Sequence, residues 1–175
     1  MSGWLLWLTG LSGAGKSTLA EALVARLRAS GLQAVNLDGD RLRKGLCSDL
    51  GYTEQDRREN LRRAGEVAAL LAEAGCGVVA SFISPYREDR ARIRARFARG
   101  RFAEVYVRCS LERCEARDPK GLYARARAGE LPRFTGLSDP YEEPLAPELV
   151  LQTDRETPEA CLERLEALVR MLGDA

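Results

Sequence analysis

Apolar residues in this chain come in short bursts separated by longer amphipathic stretches. Residues 4–9, Trp-Leu-Leu-Trp-Leu-Thr, are an almost unbroken apolar run, the pattern of a strand buried on both faces. Comparable runs at 33–37, 77–82, 103–107 and 148–151 predict four more strands. Between them the period changes. Leu19, Ala20, Leu23, Val24 and Leu27 recur at helical spacing, and Gly31 stands where that helix should stop. Thr53 with Asp56 reads as a capping box for a helix whose inner face carries Leu61, Ala64, Ala68 and Leu71. Ile93 and Phe97 share a face of another. Thr157-Pro158 opens a last helix, with Leu162, Leu165, Val169 and Leu172 facing inward. Strands alternating with helices predict an α/β fold: one domain over 1–175, with a parallel five-stranded sheet covered by helices on both faces. Only 118–147 breaks the rhythm. It is rich in Gly, Pro and charge, and a segment of that length inside a compact domain is expected to be a lid or binding loop.

Directly after the first apolar run stands Gly10-Leu11-Ser12-Gly13-Ala14-Gly15-Lys16-Ser17, followed by Thr18. Every position of the Walker A pattern is filled, in its required setting between strand and helix. Glycines let the backbone turn so that amide hydrogens face phosphate oxygens. Lys16 supplies a positive charge to the β- and γ-phosphates, and the Ser17 hydroxyl is a ligand for Mg²⁺. The helix that follows adds the positive end of its dipole. The chain is thus expected to bind a nucleoside triphosphate.

Composition narrows the chemistry. The 27 basic and 26 acidic residues leave a formal net charge of +1, so nothing draws the whole molecule to nucleic acid or an anionic membrane. The arginines at 90, 92, 94, 96, 99 and 101 form a basic run, read as a solvated helix face. No apolar segment has the length of a membrane span. The first seven residues lack the basic start and apolar core of a signal peptide, and a cytoplasmic location is expected. Five cysteines, with no Cys-x-x-Cys pair, read as reduced, packed thiols. There is no histidine, so proton transfer falls to a carboxylate or to no discrete base. Lysine occurs only at 16, 44 and 120, in a chain that otherwise uses arginine.

Asp38-Gly39-Asp40 follows the second predicted strand, on the side where ligands of parallel sheets bind. These carboxylates suit a magnesium shell, a proton acceptor or a sugar-hydroxyl contact. Arg43, Arg57 and Asn60 follow, groups fit for a second, anionic substrate. Phe82, Ile83 and Ser84 lie at the end of the third strand, on the same side, although Phe82 also reads as simple core.

The residues from Gly10 to Thr18, Leu37 to Asp40, Asp56 to Asn60, Phe82 to Arg87, Arg117 to Tyr123, Ala126 to Glu130 and Phe134 to Gly136 together resemble adenylylsulfate kinase (APS kinase). The resemblance runs from Trp4 to about Asp154. It implies the P-loop kinase fold, a mobile lid, Mg²⁺ dependence, a homodimer, a possible ATP sulfurylase partner, and phosphorylation of adenosine 5′-phosphosulfate (APS) to 3′-phosphoadenosine 5′-phosphosulfate (PAPS) by ATP. By similarity, Asp40, Arg43, Arg57, Asn60, Ile83, Ser84, Lys120 and Phe134 match positions that hold APS, with Phe82 and Arg133 beside them. Tyr52 stands where relatives often carry Phe. Arg117 resembles the arginine near the ATP base, and Ser84 the position able to carry phosphate, hence its place with Lys16 and Asp38 among the candidate catalytic residues. In this picture Arg43 and Arg57 meet the phosphosulfate, Tyr52 and Phe134 sandwich the purine, Lys120 shields charge between the two anions, and Asp38 either holds the magnesium shell or takes the 3′-hydroxyl proton. Arg133 replaces a common Gly, and Arg108-Cys109-Ser110 a more apolar stretch. Two alternatives share the fold: a non-catalytic APS- or PAPS-binding regulatory domain, expected to have lost Lys16 or Asp38, and a kinase for another small hydroxyl substrate, expected to lack the Phe82 and Phe134 segments.

Overall fold

Strand β1 (Trp4–Thr9) runs through the middle of a five-stranded sheet in this computed structural model, which describes residues 3–173. Met1, Ser2, Asp174 and Ala175 of the expected 1–175 domain lie outside the described residues. On one side β1 pairs with β3 (Gly77–Ser81), and β2 (Ala34–Asp38) pairs outside β3. On the other it pairs with β4 (Phe102–Arg108), and β5 (Leu149–Gln152) closes that edge. Every pairing is parallel, in the order β2-β3-β1-β4-β5. Each predicted strand is present, its ends shifted by a residue or so.

A parallel sheet needs cover on both faces. Successive side chains of β1 divide accordingly. Leu6 and Leu8 pack with Leu19, Leu23 and Leu27 of α1 (Lys16–Ala29) and Leu162, Leu165 and Val169 of α7 (Pro158–Gly173). Leu5 and Trp7 pack with Leu61, Ala64 and Ala68 of α3 (Glu54–Glu73) and Ile93 of α4 (Arg87–Arg94). The capping box at Thr53 forms as expected, in both directions. Helix α4 stops at Arg94, so Phe97 packs from the turn beyond it rather than from the helix.

Three short helices escape the sequence pattern: α2 (Gly39–Arg43), α5 (Leu111–Arg117) and α6 (Leu122–Arg127). They are too short to show a periodic apolar face. The stretch 118–147 is also less loop-like than its composition implies. Tyr123 and Phe134 belong to the main core, meeting edge to face at 4.9 Å between ring centroids. Its last part is strapped to α4: Glu142 N–H donates to the Pro85 carbonyl (2.8 Å), and the Arg87 guanidinium donates to the Glu143 carbonyl (2.7 Å). Arg90, read above as part of a solvated face, is in fact 3% exposed. It donates to Glu104 (2.6 Å), to the Ser84 carbonyl (2.5 Å) and to the Glu142 carbonyl (2.7 Å). A buried guanidinium requires such a full set of partners.

Candidate active site

The loop after β1 turns back on itself through backbone that only glycine accepts. Gly10 has φ 153°, and a Cβ there would lie 2.4 Å from the Val107 carbonyl oxygen. Gly13 has φ 77°, and its Cβ would meet the Cys114 carbonyl at 2.9 Å. The loop's carbonyls are tied outward: Tyr123 Oη donates to Ser12 O (2.8 Å), Thr153 Oγ1 to Ala14 O (2.7 Å), and Arg117 to Gly13 O (3.3 Å). With these three carbonyls held from outside and only the Ala14 amide turned to a loop carbonyl, that of Leu11 (3.2 Å), the loop faces an anion with its remaining amides. Arg117 also donates to the Thr153 carbonyl (2.6 Å), bracing the loop from the β5 side. Leu11 packs at the rim of the main core, and Thr18 is exposed on the first turn of α1.

Lys16 is 8% exposed, and its Nζ donates to the Leu11 carbonyl (2.7 Å). Burial pulls its pKa down to about 8. An anion placed on the loop reverses that pull.

Asp38 ends β2 and caps α2. Its Oδ1 accepts from the Asp40 and Arg41 amides (3.0 and 3.2 Å); its Oδ2 accepts from Ser17 Oγ (2.7 Å) and Ser81 Oγ (3.0 Å). Partial burial pushes the carboxyl up, but the bonds from Ser17, Arg41, Ser81 and Asp40 outweigh it and hold the group below the usual range. Ser81 was missed as a site residue. The register that places it opposite Asp38 exists only in the sheet.

The acceptor-side candidates cluster around α2, α3 and the segment 133–139. The Arg43 guanidinium donates to the Gly51 carbonyl (2.8 Å) and lies 4.4 Å from the Tyr52 ring centroid. Arg57 reaches across to the lid: Thr135 Oγ1 at 2.9 Å, the Arg133 carbonyl at 2.7 Å and Asp139 at 3.1 Å. Lys120 pairs with Asp40, joining the lid to α2. The Asn60 amide nitrogen is buried without an acceptor among the described residues, a donor left for a ligand. Ile83 offers its carbonyl to Thr9 Oγ1 (2.7 Å).

Five candidates make contacts other than those expected of them. Phe82 is 4% exposed and stacks on Trp7, with centroids 4.8 Å apart, so it packs as core beneath the site. Ser84 is 2% exposed, with φ 43°; its hydroxyl accepts from Trp7 Nε1 (3.0 Å) and donates to Thr9 (2.9 Å). Enclosed in this way, the hydroxyl links Trp7 to Thr9. Phe134 is 7% exposed with its ring against Tyr123, while the Tyr52 ring lies under Arg43 and is 66% exposed, so the two rings are engaged separately. Arg133 takes part through its carbonyl, and its position is exposed.

The adenylylsulphate kinase family profile matches residues 2–152. This chain belongs to the adenylylsulfate kinase family. An adenylyl-sulfate kinase of Geotalea uraniireducens is 60% identical over 151 residues, 86% of this chain and 73% of that protein. One of Bacillus velezensis is 54% identical over 166 residues, 95% of this chain and 84% of that protein. An APS kinase of Mycobacterium tuberculosis, solved with AMPPNP and APS, superposes with a TM-score of 0.92 at 46% identity, over 97% of this chain and 98% of that one. The protein is a nucleotide-binding phosphotransferase, an ATP-dependent adenylyl-sulfate kinase with the α/β P-loop kinase fold. Among the described residues no helix is long and apolar enough to cross a membrane.

Proposed function

We propose that the described residues divide the APS-to-PAPS reaction between two halves of one cleft. The phosphate loop and Arg117 hold ATP, while Asp40, Arg43, Arg57, Asn60 and the loop at Ile83 hold APS. The observation that carries this reading is the position of Asp38. Its carboxylate touches Ser17 of the nucleotide loop and, through the α2 amides, the start of the acceptor side.

Transfer of a phosphoryl group has a loose transition state, so positioning and charge neutralisation supply most of the rate. Lys16 leaves the Leu11 carbonyl for the transferring phosphate. Asp38 keeps its negative charge through the pH range of the reaction. Its hydrogen bonds hold the carboxyl below the usual range, so it stays charged, as a group that holds a cation must. Ser17 and Asp38 present hard oxygen donors that fit Mg²⁺, a cation usually held by one or two protein groups plus substrate phosphates. When bound, that ion supplies charge neutralisation at the β- and γ-phosphates. Lys120 and Arg57, joined to Asp40 and Asp139, close the lid over the cleft. The last part of the lid is tied to α4 through the Glu142 and Glu143 carbonyls. A homodimer, a cytoplasmic location, and delivery of APS by a separate ATP sulfurylase belong to the same reading on family resemblance alone.

ADP release from Mg-ATP, with and without APS, tests it. APS-dependent release with a 3′-phosphorylated product, lost in Lys16→Ala, is the expected result. APS binding without ADP release would instead favour a regulatory domain.

A further inference from the structure

Four side chains that approach one another beneath the cleft form a chain of hydrogen bonds whose direction follows from the shortest contacts. Thr9, the last residue of β1, has one hydroxyl proton, and its shortest contact to an obligate acceptor is the Ile83 carbonyl at 2.7 Å. The proton is therefore committed there. With that proton placed, the other two hydroxyls donate to Thr9 Oγ1: Ser84 Oγ at 2.9 Å, whose other acceptor, the Phe82 carbonyl, is more distant at 3.4 Å, and Tyr141 Oη at 2.9 Å. With its own proton spent, Ser84 is free to accept, and Trp7 Nε1, which can only donate, lies 3.0 Å away. The bonds run in one direction, from Trp7 and Tyr141 inward, and end on the Ile83 carbonyl. Tyr141 must stay protonated to take part, and burial pushes its pKa up to about 12.

The end point of this chain is a strained one. Ser84 has φ 43°, unusual for a residue with a Cβ, and such backbone persists only where its surroundings hold it. The Arg90 guanidinium fixes the Ser84 carbonyl at 2.5 Å, and the hydroxyl chain fixes the Ile83 carbonyl in the preceding peptide unit, so both peptides that flank the Ser84 Cα are held. Both anchors lead to the lid root, Arg90 through the Glu142 carbonyl and Thr9 through Tyr141.

We propose that Thr9 and Tyr141 are positioning residues for APS: they set the peptide between Ile83 and Ser84, and with it the acceptor loop, and they link that loop to the base of the lid. This rests on the reading of Ile83 as part of the APS side. Neither residue touches substrate in this account; each acts through the loop.

Steady-state kinetics and amide hydrogen exchange on the full chain test the proposal. Tyr141→Phe removes one oxygen and keeps the ring. It should raise the KM for APS about five- to twentyfold, leaving the KM for ATP and kcat within about twofold. Thr9→Val should do at least as much, Thr9→Ser should stay within about twofold of wild type, and the double variant Thr9→Val/Tyr141→Phe should be no worse than Thr9→Val alone. Exchange of the amides of residues 82–84 should quicken in Tyr141→Phe. A KM for APS within twofold in both Tyr141→Phe and Thr9→Val, whatever happens to Tm, would overturn the proposal, as would Thr9→Ser behaving like Thr9→Val. If the wild-type protein showed no APS-dependent turnover, the functional reading would fail. The exchange result alone would then decide whether the chain of hydroxyls holds the loop, with unchanged exchange counting against it.

Discussion

The Ser17 hydroxyl donates to Oδ2 of Asp38 over 2.7 Å, joining the first turn of α1 to the end of β2. Two segments that the chain separates by about twenty residues meet as one pair of oxygen donors beside the lysine of the phosphate loop. The same carboxylate caps α2 and accepts from Ser81, so its orientation is set from three elements.

Asp38→Asn should therefore act on chemistry rather than on affinity. The amide keeps one acceptor oxygen and most of the packing but loses the charge. The expected outcome is a fall in kcat of about a hundredfold or more, with both KM values within about threefold. In wild type, kcat should show no acid limb from Asp38 above pH 5, because the lowered pKa keeps the group charged there. A pure KM effect would show that Asp38 serves in binding.

Lys16 predicts two opposite pH trends. Its pKa in the free protein is about 8, below the ordinary 10.5, because burial disfavours the charge. Between these values the folded state holds fewer protons than the unfolded one, so this lysine's contribution makes the ligand-free protein more stable as pH rises from 8 towards 10.5. Nucleotide affinity should move the other way. A bound phosphate favours the protonated form, so Kd for Mg-ATP should be flat below pH 7 and rise by up to about tenfold per pH unit above 8. Calorimetric titration at several pH values, with Lys16→Met as the control that loses the slope, measures this.

Ser84→Ala separates an enclosed link from a phosphate carrier. Loss of the hydroxyl leaves Trp7 Nε1 without its acceptor, and the cost is about 1–3 kcal/mol of stability, read as a lower Tm. Turnover by the folded variant should stay within about tenfold of wild type. Loss of turnover in a variant with normal Tm would restore an obligatory phosphoserine.

Two residues of the lid should behave in opposite ways. Phe134 is buried in the main core, and Phe134→Ala should lose about 3–5 kcal/mol in denaturant unfolding, which must be allowed for before any loss of APS binding is assigned to stacking. Lys120 and Asp40 form an exposed pair, side chains 49% and 58% accessible, and such pairs contribute little to folding. Lys120→Ala should leave Tm unchanged and lower kcat/KM for APS by about tenfold.

Much was open to the sequence because the signals were local. A strand buried on both faces must be apolar throughout, and an amphipathic helix must repeat its apolar residues near every 3.6, so the five strands and the long helices α1, α3 and α7 were legible. The phosphate loop was legible because backbone geometry restricts which residues can stand in it. Arg57, Asn60 and Asp38 were found as candidates, though their partners were not.

What only the tertiary structure decided depends on residues far apart in the chain. Phe82 and Ser84 stand beside the acceptor side in sequence, yet parallel pairing of β1 with β3 turns them onto Trp7 and Thr9. Arg90 lies in a run of arginines with nothing local to mark it, and becomes buried because Glu104, Ser84 and Glu142 converge on it from three segments. The lowered pKa of Asp38 comes from four donors on three elements. Composition and period determine which segments become strands and helices. The charge state and accessibility of a side chain depend on the groups that surround it, and folding alone brings those together.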